Sequence, residues 1–130
     1  MDIYRQEIID HYQNPRNFGK LKNPTVFHEE VNSFCGDRIR MELQIVNDKI
    51  MDVAISGAGC AISMASASFL TEMIKNQTIN KVKKNSKEEL VKKLNINLSP
   101  SRLVCAWLPW EVLHKALFKY QNMKGAYGKI

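Results

Sequence analysis

The strongest constraint on the fold is a pair of alternating runs about an Asn-Asp step. Ile39, Met41, Leu43 and Ile45 alternate with Arg40, Glu42 and Gln44, which is the period of a strand with one buried face. Asn47-Asp48 follows, and both residue types tolerate the positive φ of a tight hairpin turn. Met51, Val53 and Ile55 then alternate with Asp52 and Ala54 on the return. A β-hairpin with one apolar face is the result, and it needs helices to cover that face.

The flanking segments supply them. Ile3, Ile8, Ile9 and Tyr12 recur at roughly helical spacing, and the helix stops before Asn14-Pro15 because the residue ahead of proline is pushed out of helical geometry. Asn17-Phe18-Gly19 reads as a turn and Thr25–Asn32 as a strand. Gly57-Ala58-Gly59 ends the hairpin and opens a helix over Cys60–Lys75, whose early turns are small (Ala61, Ser63, Ala65, Ser66, Ala67, Ser68) and suit close packing. Ser86 and Glu89 have capping-box spacing ahead of Leu90, Val91 and Leu94. The last helix is expected to begin at Pro109, with Trp110, Leu113, Ala116, Leu117 and Tyr120 on one face, and Pro100 to mark a short turn before it. These elements predict a single α+β domain over residues 1–130, a small antiparallel three-stranded sheet covered by helices.

Charge narrows the function classes. The net charge is +6, and seven of the 19 basic residues, all lysines, lie between Lys75 and Lys93. No aromatic residue and no arginine is interleaved there, which argues against nucleic-acid binding and for a solvated helix face or the docking of an acidic protein. Met1–Asp10 is mixed and charged, without the apolar run of an export signal, and no stretch is long enough for a membrane helix. With three cysteines and no close pair among them, a reducing, cytoplasmic setting is expected.

The cysteines are therefore thiols that stand alone or hold something. Cys35 and Asp37 flank Gly36, so in an extended segment their side chains share one side. Cys60 falls at a predicted helix start, where unpaired amides and the helix dipole favour a thiolate. Cys105 is placed just ahead of the last helix, among Leu103, Val104, Ala106 and Trp107, with Arg102 near enough to stabilise a thiolate. Read singly, each has an ordinary explanation, as a turn tripeptide, a small residue in a tight helix contact and a core position. Read together, each sits at a loop or element end, where functional side chains tend to be mounted. Separations of 25 and 45 residues are too long for a zinc knuckle, so a site of three thiols and one carboxylate has to be assembled by tertiary structure.

At these residues the sequence resembles the U-type iron–sulfur scaffold family (IscU, SufU and the N-terminal domain of NifU). The resemblance is carried by Tyr4 to Asn17 with its Asn-Pro-Arg-Asn turn, by Cys35-Gly36-Asp37, by Gly57 to Ser68, and by Arg102 to Trp110. It implies a SufE/NifU-like fold and a ligand set of Cys35, Asp37, Cys60 and Cys105. It further implies sulfur delivery as persulfide by a cysteine desulfurase of the SufS or IscS kind, with Cys35 and Cys105 as candidate acceptors. A transient 2Fe–2S cluster, built with iron, would then pass to apo-protein clients. Thiolates suit such clusters and a carboxylate binds them less firmly, so Asp37 would leave one corner labile. Zinc as the resting metal would fit the same four ligands tetrahedrally.

Two branches of the family pull apart here. The IscU branch carries a histidine before its last cysteine and an LPPVK chaperone motif; this chain has Val104 and Leu98-Ser99-Pro100-Ser101-Arg102. The opening helix, the Ser-Met-Ala-Ser-Ala-Ser run and Arg102 look more like SufU, whose members bind zinc and relay sulfur. SufU-type chains usually carry an insertion between the second and third cysteines, which the 45-residue separation leaves no room for. The expected role is thus a scaffold and sulfur acceptor rather than an enzyme, with a zinc-bound sulfurtransferase as the alternative. A cysteine hydrolase using His11, His28 or His114 is weaker, since surface or capping roles account for those histidines.

Overall fold

The computed structural model describes residues 3–33 and 36–128, with side chains from Arg5 to Lys124. The elements run α1 (Ile3–Gln13), β1 (Val26–Asn32), β2 (Asp37–Val46), β3 (Lys49–Ala58), α2 (Ala61–Ile74), α3 (Ile79–Lys83), α4 (Lys87–Leu94) and α5 (Pro100–Gly128). The strands form one antiparallel sheet in the order β1-β2-β3. Asn47 and Asp48 both take positive φ, 52° and 59°, as the hairpin requires. The expected α+β fold with a three-stranded sheet is what the chain adopts.

One sheet face is dry. Ile39, Met41, Leu43, Ile50, Val53 and Ile55 are buried there and pack with Leu70 and Ile74 of α2 and Leu113 and Leu117 of α5. The opposite face carries Arg38, Arg40 and Glu42, and Glu42 is buried because Arg40 and the Leu21 amide both bond its carboxylate. The backbone at Asn17 and Gly19 bonds Ile55 along the outer edge of β3, which covers part of an otherwise open sheet edge.

Two sequence expectations change. The last helix begins at Pro100, not Pro109: Leu103 N–H bonds Ser99 O, Pro100 occupies the first turn, and Pro109 lies inside the helix. A proline there costs about 3 kcal/mol. Burial of Cys105, Ala106, Leu108, Val112, Leu113, Ala116 and Leu117 on both sides of it outweighs that cost. Helix α1 buries Ile8 and His11, whereas Ile9 and Tyr12 are each 45% exposed. His11 is therefore no surface histidine; it stacks on Phe69 at 3.7 Å and shares a 2.7 Å hydrogen bond with Ser68.

That contact belongs to a polar seam along α2. Ser68 also accepts the Arg16 amide, Thr71 accepts the Asn17 side-chain amide, and Ser66 donates to the Ala106 carbonyl of α5. The small residues expected to permit close packing thus also bond the neighbouring segments. Lys81, Lys83, Lys84, Lys92 and Lys93 are exposed on α3 and α4, as a solvated face requires. Among the described residues no helix is long and apolar enough to cross a membrane.

Burial pushes His11 and His114 below the ordinary imidazole range, assisted by Arg16 and Lys83 respectively; Glu72, Asp10 and Glu7 partly oppose this at His11. The unfolded chain takes up these protons near its ordinary pKa of about 6.5 while the native protein resists, so stability falls as pH drops through that value. We expect the urea midpoint to decrease between about pH 7.5 and about pH 5.5. In a His114→Leu protein, which has no buried imidazole at that position, the decrease should be smaller; a midpoint that rises on acidification contradicts the assignment.

Candidate metal centre

Asp37, Cys60 and Cys105 come from three separate elements and meet at one point. Asp37 is the first residue of β2, Cys60 caps the start of α2, and Cys105 lies in the second turn of α5. One ligand atom from each, a carboxylate oxygen or a sulfur, lies within 4.8 Å of the others. Cys35, the fourth expected ligand, lies outside the described residues. Cys105 is not at an element end as its sequence neighbours suggested, because α5 starts nine residues before Pro109.

The glycines of Gly57-Ala58-Gly59 have distinct roles in gathering these groups. At Gly57 φ is +126°, and a Cβ would collide with the Arg38 carbonyl, so the position of β3 paired with Ile39 needs glycine. At Gly59 a Cβ would lie 2.5 Å from Ser63 Oγ and 3.0 Å from Asp37 Oδ1. The bare Cα lets the Asp37 carboxylate and the first turn of α2 approach each other.

Asp37 is 2% exposed, and a carboxylate so buried needs hydrogen bonds. Its Oδ1 accepts the Cys60 amide at 2.9 Å, and its Oδ2 lies 3.5 Å from Cys60 Sγ, where the thiol donates. One oxygen thus holds the backbone of the second ligand while the other faces its sulfur. Cys60 Sγ in turn accepts the Ser63 amide at 3.4 Å, the capping bond of α2.

The donor set fits a tetrahedral ion. With zinc–sulfur bonds of about 2.3 Å and zinc–oxygen bonds of about 2.0–2.2 Å, neighbouring ligand atoms are about 3.5 Å apart. The Cys60–Asp37 separation already has that value. Cys60 and Cys105 also line a cleft of about 870 Å³ with Asn32, Ser33, Arg102 and Val104, and this is the side from which a reactant can enter. Among the described residues Arg102 is the cation that lines that cleft, on the exposed first turn of α5.

The histidines are elsewhere. His11 is engaged with Ser68 and Phe69, His28 bonds Glu30 at 2.9 Å, and His114 packs on Trp110. None is in the metal-ligating group found among the described residues. Sequence reasoning treated Ser63 only as a small packing residue, although its spacing of three from Cys60 is that of a cap and its partner. We expect Gly59→Ala to leave the fold intact but weaken zinc binding by about tenfold or more, measured by competition with a chromophoric chelator. Wild-type affinity would show that the contact at Gly59 does not shape the site.

Known proteins agree with this architecture. Residues 3–126 match the NifU-like N terminal domain. The zinc-dependent sulfurtransferase SufU of Bacillus subtilis (strain 168) is 36% identical, over 92% of each chain. That alignment spans 137 positions against 130 residues here, so the Bacillus relative has residues this chain lacks. The iron–sulfur cluster assembly scaffold protein IscU 1 of Archaeoglobus fulgidus is 30% identical, over 98% of this chain and 83% of its own. A crystal structure from Fervidobacterium islandicum AW-1, described as a candidate iron–sulfur cluster assembly scaffold of the SUF system, superposes with a TM-score of 0.76. It is 29% identical, over 86% of this chain and 94% of that one. The converging acid and thiols, the sheet and helices that carry them and these likenesses have one meaning: the chain belongs to the family of NifU-like N-terminal domains.

Proposed function

We propose that this protein is an iron–sulfur cluster assembly scaffold, which accepts sulfur from a cysteine desulfurase, assembles a 2Fe–2S cluster on Cys35, Asp37, Cys60 and Cys105, and transfers it to apo-proteins. The observation that carries this reading is the convergence of Asp37, Cys60 and Cys105 within 4.8 Å, with both thiols lining an open cleft. Soft thiolates hold iron and sulfide, and the harder carboxylate is the weakest corner. A cargo must leave as well as bind, and Asp37 has an alternative partner for one oxygen in the Cys60 amide.

Sulfur enters from the cleft side. A thiolate of this chain attacks the outer sulfur of the donor persulfide, a new S–S bond forms, and the donor cysteine departs as thiolate. Cys105 opens to the cleft beside Arg102, whose charge stabilises an anionic sulfur there; Cys35 is the other candidate acceptor. Conversion of that sulfur to cluster sulfide takes two electrons, supplied by two external thiols that leave joined as a disulfide, and returns the acceptor cysteine to its thiol.

A second reading, a zinc-bound sulfur relay that activates the desulfurase, is favoured by the S/O donor set and by the likeness to the Bacillus protein. Zinc, when bound, would hold the thiols as thiolates and close the site. In either reading this chain's residues do the same work: Asp37 orients Cys60, and Cys105 or Cys35 meets the incoming sulfur.

Anaerobic reconstitution with iron, cysteine and a desulfurase separates the two. The scaffold predicts sulfur-to-iron charge-transfer bands that persist through gel filtration; retained zinc with faster desulfurase turnover and no such bands supports the relay instead. Each of Cys35→Ser, Cys60→Ser and Cys105→Ser should lower metal retention severely, and full occupancy in one of them removes that residue from the ligand set. Asp37→Ala should still bind metal but alter the rate of cluster transfer; unchanged kinetics contradict the labile corner.

A further inference from the structure

We propose that Ser63 is a positioning residue for the Cys60 sulfur, its amide and hydroxyl together fixing and polarising that ligand; this rests on reading Asp37, Cys60 and Cys105 as the metal site. Ser63 is fully buried, so no water substitutes for what its side chain does. Its amide donates to Cys60 Sγ at 3.4 Å. Its hydroxyl donates to the Cys60 carbonyl at 3.1 Å and lies 3.7 Å from Sγ. The same hydroxyl rests against Gly59, beside the Asp37 carboxylate. The Cys60 sulfur and the Cys60 carbonyl are thus both bonded by one residue, the first by its amide and the second by its hydroxyl.

The chemistry follows from donor counting. A thiol carries one proton, for which Asp37 Oδ2 at 3.5 Å and Ser63 Oγ at 3.7 Å are both acceptors, so the only donor it needs from Ser63 is the amide. A metal-bound thiolate has acceptor capacity only. The Ser63 proton then has two acceptors within reach, the Cys60 carbonyl and the sulfur, and turning toward the sulfur draws charge from it. Hydrogen bonds to ligating sulfur tune a metal centre, and their loss typically costs tenfold or more in affinity. The Ser63 amide is supplied by the backbone in any variant, so the hydroxyl is what substitution can test.

Cobalt(II) serves as the probe, titrated anaerobically into the full chain, because its sulfur-to-metal charge-transfer band reports the electron density on the thiolates. Ser63→Ala should move that band to lower energy and weaken cobalt binding by about tenfold. Ser63→Thr, which keeps the hydroxyl, should hold both near wild type. A merely structural role would lower the urea midpoint of the metal-free Ala protein without moving the band. An Ala protein with the wild-type band and affinity overturns the proposal, and so does a Thr protein shifted as far as Ala. Failure of the site itself has a separate signature: wild-type protein then gives no thiolate–cobalt band at all, which overturns both.

Discussion

The hydrogen bond from the Cys60 amide to the buried Asp37 carboxylate is the joint on which the site depends. It ties the first residue of β2 to the cap of α2 across the end of the hairpin, so two ligands from distant parts of the chain have fixed relative positions before any ion arrives. A hydrogen bond to a charged group contributes about 1.5–3 kcal/mol, and leaving such a carboxylate buried and unbonded costs more. That asymmetry makes the arrangement stiff. It also divides Asp37 between two tasks, one oxygen structural and the other facing the sulfur, which suits a ligand that has to let go.

The third ligand is held by a different device. Cys105 rides on α5, and α5 is fastened to α2 by the Ser66 hydroxyl bonding the Ala106 carbonyl, one residue beyond the cysteine. Farther along α2, Ser68 and Thr71 hold Arg16 and Asn17, and Asn17 in turn bonds the backbone of β3. One polar seam therefore locks the opening turn, the sheet and the last helix to the helix that begins at Cys60. The chain's stability and the geometry of its ligands rest on the same buried hydroxyls. Substitutions along this seam will couple to metal binding even where they touch no ligand.

Much of this could be read from residue patterns. The hairpin was legible because a period of two and an Asn-Asp step are local signals, and Ser86 with Glu89 marked α4 for the same reason, the Glu89 amide bonding Ser86. The start of α5 was not, since Pro109 looks like a first-turn residue and only tertiary burial on both sides of it carries the helix through. Helix α3, five residues long with Ile79 and Val82 buried, is too short to leave a periodic trace. All four candidate ligands were named by motif, and the three that lie in the described residues meet; yet the sequence placed Cys105 ahead of the last helix and the fold places it inside that helix. His11 and Ser63 were missed as anything but ordinary residues because a buried imidazole or hydroxyl shows its role only through partners 57 residues away or stacked beneath a glycine.

The central claim is that distant thiols and one acid share a single ion. X-ray absorption at the metal edge of protein purified without oxygen tests it most directly. The account predicts a first coordination shell dominated by sulfur at about 2.3 Å with one lighter scatterer at about 2.0–2.2 Å, the latter retained in every variant except those at Asp37. A shell built from nitrogen and oxygen alone would contradict it.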